Sequence, residues 1–245
     1  MTQKKWYASW FDTSYYHTLY KNRDDSEAQR FLDNLIVNLK PKKSARLLDL
    51  ACGKGRHSIY LAKKGFNVIG VDLSGQSIKH AKKSETEKLK FDTHDMREVY
   101  KAKYFDLIIN AFTSFGYFEN DEDHLRTLEN VTKGLRKGGL FVMDFLNVHK
   151  AIANMKKREQ KTIDGITFKI TRLVKDGYIV KRIRFTDKGK KYAFEERVRG
   201  FTKADLQKLF KKAGLEITAT YGNYDLKAFR KDSADRLILV AKKSS

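Results

Sequence analysis

The spacing of apolar residues changes period several times along this chain, and each change marks an element. In SEAQRFLDNLIVNL (26–39), Phe31, Leu35 and Leu39 recur every four residues, the spacing of one helical face, and Pro41 stops the segment. RLLDLA follows as a short apolar strand, RHSIYLAKK (56–64) as a helix closed by Gly65, and NVIGVDLS as a second strand ending in an acid. GQSIKHAKKSETEKL reads as a polar helix, FDTHDM holds a short third strand and FDLIINAF a fourth. DEDHLRTLENVTKGLRKG opens acidic and closes basic, as the helix dipole favours, and is read as one helix; GGLFVMDFLN is a fifth strand. Strands alternating with helices predict a parallel sheet covered on both faces, with right-handed crossovers.

The rhythm then breaks. ITFKITRLV (166–174), YIVKRIRFT (178–186) and KYAFEERVR (191–199) are strand-like runs joined by KDG and DKGK, so neighbours are expected to be antiparallel. Ile179, Ile183 and Phe185 share one face of the second run, and Arg182 and Arg184 the other; Tyr192, Phe194 and Val198 share a face of the third. This reads as a small sheet, greasy on one side and basic on the other. TKADLQKLFKKAG (202–214) is a helix capped by Thr202 and closed by Gly214, followed by strands LEITATYG and DRLILVAKK. The dozen residues between those strands are too few for a helical crossover, so the chain ends in an antiparallel hairpin. The expected fold is α/β: a seven-stranded, mostly parallel, doubly wound sheet with that hairpin, plus an antiparallel insertion after the fifth strand. Residues 1–40 are read as an N-terminal aromatic helical lid, 41–150 and 201–245 as the core, and 151–200 as the insertion.

Composition adds three constraints. The single cysteine, Cys52, allows no internal disulfide and fits a reducing, cytoplasmic setting. No stretch approaches the length of a membrane span, and the first residues lack the apolar core of a signal peptide, so neither is expected. The net charge is +21, and residues 150–200, with 16 basic and 6 acidic groups, carry +10 of it. Such a bias is either a solvated lysine-rich surface or attraction to an anionic partner such as RNA.

The candidate chemistry lies in LLDLACGKG, where a strand feeds a helix through Gly53 and Gly55, glycines that let backbone approach a ligand. Asp72 ends the next strand, 23 residues after Asp49, where an acid can accept both hydroxyls of a ribose. By itself this pair suits NAD, FAD or S-adenosylmethionine. GKGRHS lacks the third glycine of the dinucleotide fingerprint, and Asp49 offers an acid suited to a sulfonium amino acid. LLDLACGKG, VDLS, HDM and the terminal hairpin resemble the class I S-adenosylmethionine-dependent methyltransferases, over Leu47–Leu146 and again over Thr202–Lys243. The aromatic N-terminus and inserted sheet resemble a subset acting mainly on small molecules. That resemblance implies that Asp49, Gly53 and Gly55 line the methionine end of the cofactor, with Ala51 and Cys52 of the same loop also among the cofactor-binding residues. It also implies that Asp72 binds the ribose, Leu73 packs on the adenine, Asp95 reaches the adenine amino group beside Met96, and Asn110 and Phe112 close over the ligand.

The remaining candidates each have two readings. Arg56 is either a partner for the cofactor carboxylate or a structural ion pair. Asp95 is otherwise a helix cap. The cluster Trp6, Tyr7, Trp10, Phe11, Tyr15, Tyr16 and Tyr20 is either a face packed on the core or a lid, with Tyr16 near the methionine portion. His149 is either a general base near the substrate mouth or a solvent-exposed side chain. The other histidines show no metal-ligand spacing, and no catalytic residue is singled out. NAFTSFGYF replaces the Asn-Pro-Pro-Tyr pattern common among enzymes that methylate base amines or glutamine, and a lone cysteine excludes cytosine C5 chemistry. The expected activity is methyl transfer from S-adenosylmethionine to a small molecule; the alternative is an RNA methyltransferase in which Arg172, Lys181, Arg182, Arg184, Arg197 and Arg199 track a phosphate backbone.

Overall fold

The computed structural model describes residues 10–21 and 25–244; Trp6 and Tyr7 lie outside them. The core sheet runs β10-β11-β5-β4-β1-β2-β3, built from β1 (Arg46–Leu50), β2 (Asn67–Asp72), β3 (Leu89–Thr93), β4 (Phe105–Asn110), β5 (Leu135–Leu146), β10 (Leu215–Tyr221) and β11 (Arg236–Lys243). All neighbours are parallel except those of β11, which runs antiparallel to both β5 and β10. The order reverses between β1 and β4, the place where the carboxyl ends of an open α/β sheet leave a crevice.

Period-two alternation splits the core into two layers. Leu47, Val68, Leu107, Ile109 and Val142 face Phe31, Leu32 and Leu35 of α2 (Asp25–Leu39) and Leu61 of α3 (Arg56–Lys63). Leu48, Val71, Ile108 and Met143 face Leu128 and Val131 of α5 (Asp121–Gly134) and Leu206 and Phe210 of α7 (Lys203–Lys212). Thr202 caps α7 in a full capping box with Asp205.

Two boundaries differ from the sequence expectation, and one short helix is additional. The polar helix after β2 is shorter: α4 (Gly75–Ala81) gives way to a single 3-10 turn, because the Glu85 carboxylate accepts the Phe91 N–H and draws the chain into β3. The helix expected to reach Gly138 ends at Gly134, because Leu135 is already pinned beside Phe105 as the first residue of β5. A short helix, α6 (Val148–Ala153), follows β5.

The insertion has four antiparallel strands rather than three: β6 (Arg158–Ile163), β7 (Ile166–Lys175), β8 (Tyr178–Asp187) and β9 (Lys190–Arg199). β6, REQKTI, is an edge strand whose polar sequence carries no alternation to read. The two faces are also not simply greasy and basic. Along β8, Ile183 and Phe185 are buried under the N-terminal segment, whereas Tyr178 and Val180, on the opposite face, are buried at the end nearest the core. Residues 10–20, including α1 (Ser14–Leu19), cover that far end: Trp10 and Leu19 pack with Phe168, Ile170, Ile183 and Phe185.

Candidate cofactor and acceptor site

The glycine turn is built from opposing demands. Gly53 adopts φ +57° and a Cβ there would meet nothing within 4 Å, so its backbone faces open space. Gly55, at φ +82°, corrects the expectation. A Cβ on it would lie 2.5 Å from the Phe91 ring and 3.2 Å from Ala81 Cβ, so this glycine lets α3 pack on the sheet rather than a ligand approach. A Cβ on Gly70 of β2 would lie 2.6 Å from the same ring.

Asp72, ending β2, accepts the Gly53 N–H at 2.8 Å with one carboxylate oxygen and the Ser74 N–H at 2.8 Å with the other. Burial raises its pKa, and those two N–H donors oppose the rise. Two oxygens each with one protein donor keep lone pairs available to paired hydroxyls. Asp95 lies beyond β3 with its carboxylate bonded to the Arg97 guanidinium; Arg97 also reaches Asp123 at 3.1 Å. Burial works to raise the Asp95 pKa, but the Arg97 contacts outweigh it and hold the carboxyl low. The residues after Asp95 form turns, so it caps no helix.

A cavity of about 500 Å³ opens between these walls. Of the residues expected to contact the cofactor, Tyr16, Ala51, Cys52, Gly53, Arg56, Asp72, Leu73, Asp95, Met96 and Phe112 line it. Asp49, Gly55 and Asn110 stand one layer behind: Asp49 is 2 % exposed and accepts the Ser58 hydroxyl at 2.6 Å, and Asn110 Nδ2 donates to the Leu50 carbonyl. Arg56 lines the cavity while pairing with Asp25 at 3.0 Å and stacking over Phe112, so the ion pair is present at the cavity edge. Burial pushes the Cys52 thiol well above its ordinary value, which makes it a wall and not a nucleophile. His149 lies outside this cavity, beside Phe201, Lys203 and Phe229 in a separate depression, so it is no base for chemistry here. The sequence expectation missed Thr113, Ser114 and Tyr117; their signal was NAFTSFGYF, an aromatic-rich loop with one glycine leaving β4 at the reversal of strand order.

Burial pushes Asp49 up to about 6, with Ser58 opposing and the charge of Asp72 adding. Between its ordinary 3.8 and that value the folded chain keeps a proton the unfolded chain has lost. Stability therefore falls as pH rises through this window, by about 3 kcal/mol once complete. Asp49→Asn keeps the bond to Ser58 without the charge. It should be more stable than wild type by about 2–3 kcal/mol near pH 7.5 and lose that advantage near pH 4, in denaturant titrations of the ligand-free protein.

The profile of a family described as "Methyltransferase domain" matches residues 41–214, about seven tenths of the chain. The chain belongs to the class I S-adenosylmethionine-dependent methyltransferases. This methyltransferase is 28% identical over 228 residues to the glycine/sarcosine N-methyltransferase of Aphanothece halophytica, covering 90% of this chain and 83% of that one. It is 37% identical over 107 residues to a putative methyltransferase of Bacillus subtilis, 42% of this chain and 43% of that one. The methyltransferase thus spans half or less of several curated relatives it matches. The same fold is seen in an S-adenosylmethionine-dependent methyltransferase from Clostridium acetobutylicum, with a TM-score of 0.79 at 22% identity over 94% of this chain and 96% of that one. It recurs in an S-adenosylmethionine-bound amino pentose methyltransferase from Micromonospora echinaspora, with a TM-score of 0.69 at 18% identity over 95% and 98% of the two chains. Among the described residues, no helix is long and apolar enough to cross a membrane.

Proposed function

We propose that the methyltransferase acts on a small-molecule amine, with S-adenosylmethionine held along the wall formed by Gly53, Asp72, Leu73, Asp95 and Met96. The observation that carries this reading is the single cavity in which that wall is faced by Phe11, Tyr16 and Tyr20 of the N-terminal segment and Tyr117 of the post-β4 loop. A pocket roofed by aromatic side chains suits a compact acceptor more than a polymer. The fit of the cofactor rests on the open backbone at Gly53 and the part-satisfied carboxylate of Asp72. S-adenosylmethionine supplies an activated methyl, so the protein's task is alignment and exclusion of water. The amine is suggested by the glycine/sarcosine and amino pentose enzymes among the relatives.

The charges of the insertion support the same side. Arg172 pairs with Glu159 at 2.7 Å, Lys181 with Glu196 at 3.5 Å and Arg182 with Glu195 at 2.9 Å, while Arg197 lies over the Tyr178 ring. Arg199 donates to the Asp176 carbonyl and sits near Asp121. Five of the six cations are engaged in this way and poorly available to a phosphate backbone, while Arg184 is exposed. Release of S-adenosylhomocysteine with glycine, sarcosine and amino sugars, against total tRNA, tests the reading. Turnover with a small amine, kept by Arg182→Glu/Arg184→Glu, is the expected result; turnover with RNA alone, abolished by that double variant, would overturn it.

A further inference from the structure

We propose that Asp144 on β5, with Arg236, is a positioning residue for methyl transfer, because it holds Phe112 and Thr113 in the left-handed backbone that shapes one wall of the cavity. The inference rests on the placement of the cofactor argued above. Phe112 and Thr113 have φ of +58° and +59°, a conformation bulky and β-branched residues avoid. Two such residues in succession persist only where their surroundings fix them.

The surroundings here converge on one fully buried carboxylate. Asp144 Oδ2 accepts the Phe112 N–H at 2.7 Å, and the Asp144 backbone carbonyl accepts the Thr113 N–H at 3.0 Å. Asp144 Oδ1 accepts Arg236 Nε at 2.7 Å, and the same guanidinium reaches Thr113 Oγ1 at 2.8 Å. The Tyr224 hydroxyl donates to Asp144 Oδ2 at 3.1 Å. The regular β4–β5 ladder ends at Asn110 opposite Met143, so a side chain takes over where strand pairing stops.

The loop so fixed is joined to the other wall. The Phe112 ring stacks on His57 at 4.8 Å and carries the Arg56 guanidinium at 4.9 Å, both on the first turn of α3 after the glycine loop. Phe112, Thr113, Arg56 and His57 all line the cavity, whereas Asp144 and Arg236 do not touch it. They act through the loop.

Calorimetric titration of the full chain with S-adenosylhomocysteine, alongside thermal melting, tests this. Asp144→Asn cannot accept from both Arg236 and Phe112, and should weaken binding at least about tenfold. Thr113→Val breaks only the bond from Arg236 and should weaken binding about threefold to tenfold with little change in melting. Adding Thr113→Gly to Asp144→Asn supplies a residue that adopts the left-handed conformation freely, and should recover about threefold in affinity relative to adding Thr113→Val, which removes the same hydroxyl, without recovering the melting temperature. A role confined to stability predicts no such recovery. Wild-type affinity in Thr113→Val overturns the proposal even if Asp144→Asn fails to fold, as does a double variant that folds without recovery. Asp72→Ala serves as the control: unchanged binding there condemns the cofactor placement, whereas weakened binding there with Thr113→Val unaffected condemns only the role of Asp144.

Discussion

Asp72→Ala should weaken S-adenosylhomocysteine binding by roughly 1.5–3 kcal/mol, or about tenfold to 150-fold. Two losses combine. The paired hydroxyls of the ribose lose a charged acceptor. The Gly53 and Ser74 N–H groups, each bonded to this carboxylate at 2.8 Å, lose theirs, and the glycine turn loosens. Asp72→Asn separates the two, because its amide oxygen still serves one N–H while the charge is gone; it should fall between wild type and alanine. Calorimetry reads both variants. Unchanged affinity in Asp72→Ala sinks the cofactor placement, and equal loss in both variants assigns the effect to charge alone.

The sheet was legible because buried parallel strands write themselves as apolar runs. RLLDL, NVIGVD and FDLIIN have no second plausible partner pattern, and the acid ending the second run places Asp72 at the crevice. What stayed hidden is what periodicity does not encode. β6 is polar because an exposed edge strand needs no apolar face. Ile179, Ile183 and Phe185 do share a face, but burial passes to Tyr178 and Val180 on the other face, because the two ends of the insertion pack against different bodies. Gly55 looked like a ligand glycine until the Phe91 ring beneath it was seen. Asp144 read as one polar letter in an apolar strand, since its partners Arg236, Tyr224 and Phe112 lie 92, 80 and 32 residues away. Net charge is silent for the same reason: composition counts Lys181 as a cation but does not show that it is buried beside Glu196.

Glu196→Ala should destabilise the protein by about 3 kcal/mol, a fall in melting temperature of roughly 6–12 °C, and detach the N-terminal segment from the insertion. Glu196 on β9 is the hub between them. Its carboxylate accepts Trp10 Nε1 at 2.7 Å and the Tyr20 hydroxyl at 2.7 and 2.9 Å, and faces Lys181 at 3.5 Å, its cross-strand neighbour on β8. Lys181 is only 14 % exposed; burial lowers its pKa and Glu196 opposes the fall. Without Glu196 an ammonium stays buried with its counter-charge gone, which costs more than losing a surface pair. The bonds from Trp10 and Tyr20 to Glu196 go at the same time, leaving the Tyr20 hydroxyl its bond from Lys181, and Tyr16, between them in sequence, is part of the cavity wall. Cofactor affinity should therefore fall with stability, and proteolysis near residues 10–20 should accelerate. Removing both charges separates pairing from packing: Lys181→Met/Glu196→Leu should regain most of the stability while proteolysis stays fast, because the apolar pair restores the sheet but not the acceptor for Trp10 and Tyr20. Melting of Glu196→Ala within about 1 kcal/mol of wild type, or a protected N-terminal segment in the double variant, would show that the aromatic packing alone holds the segment in place.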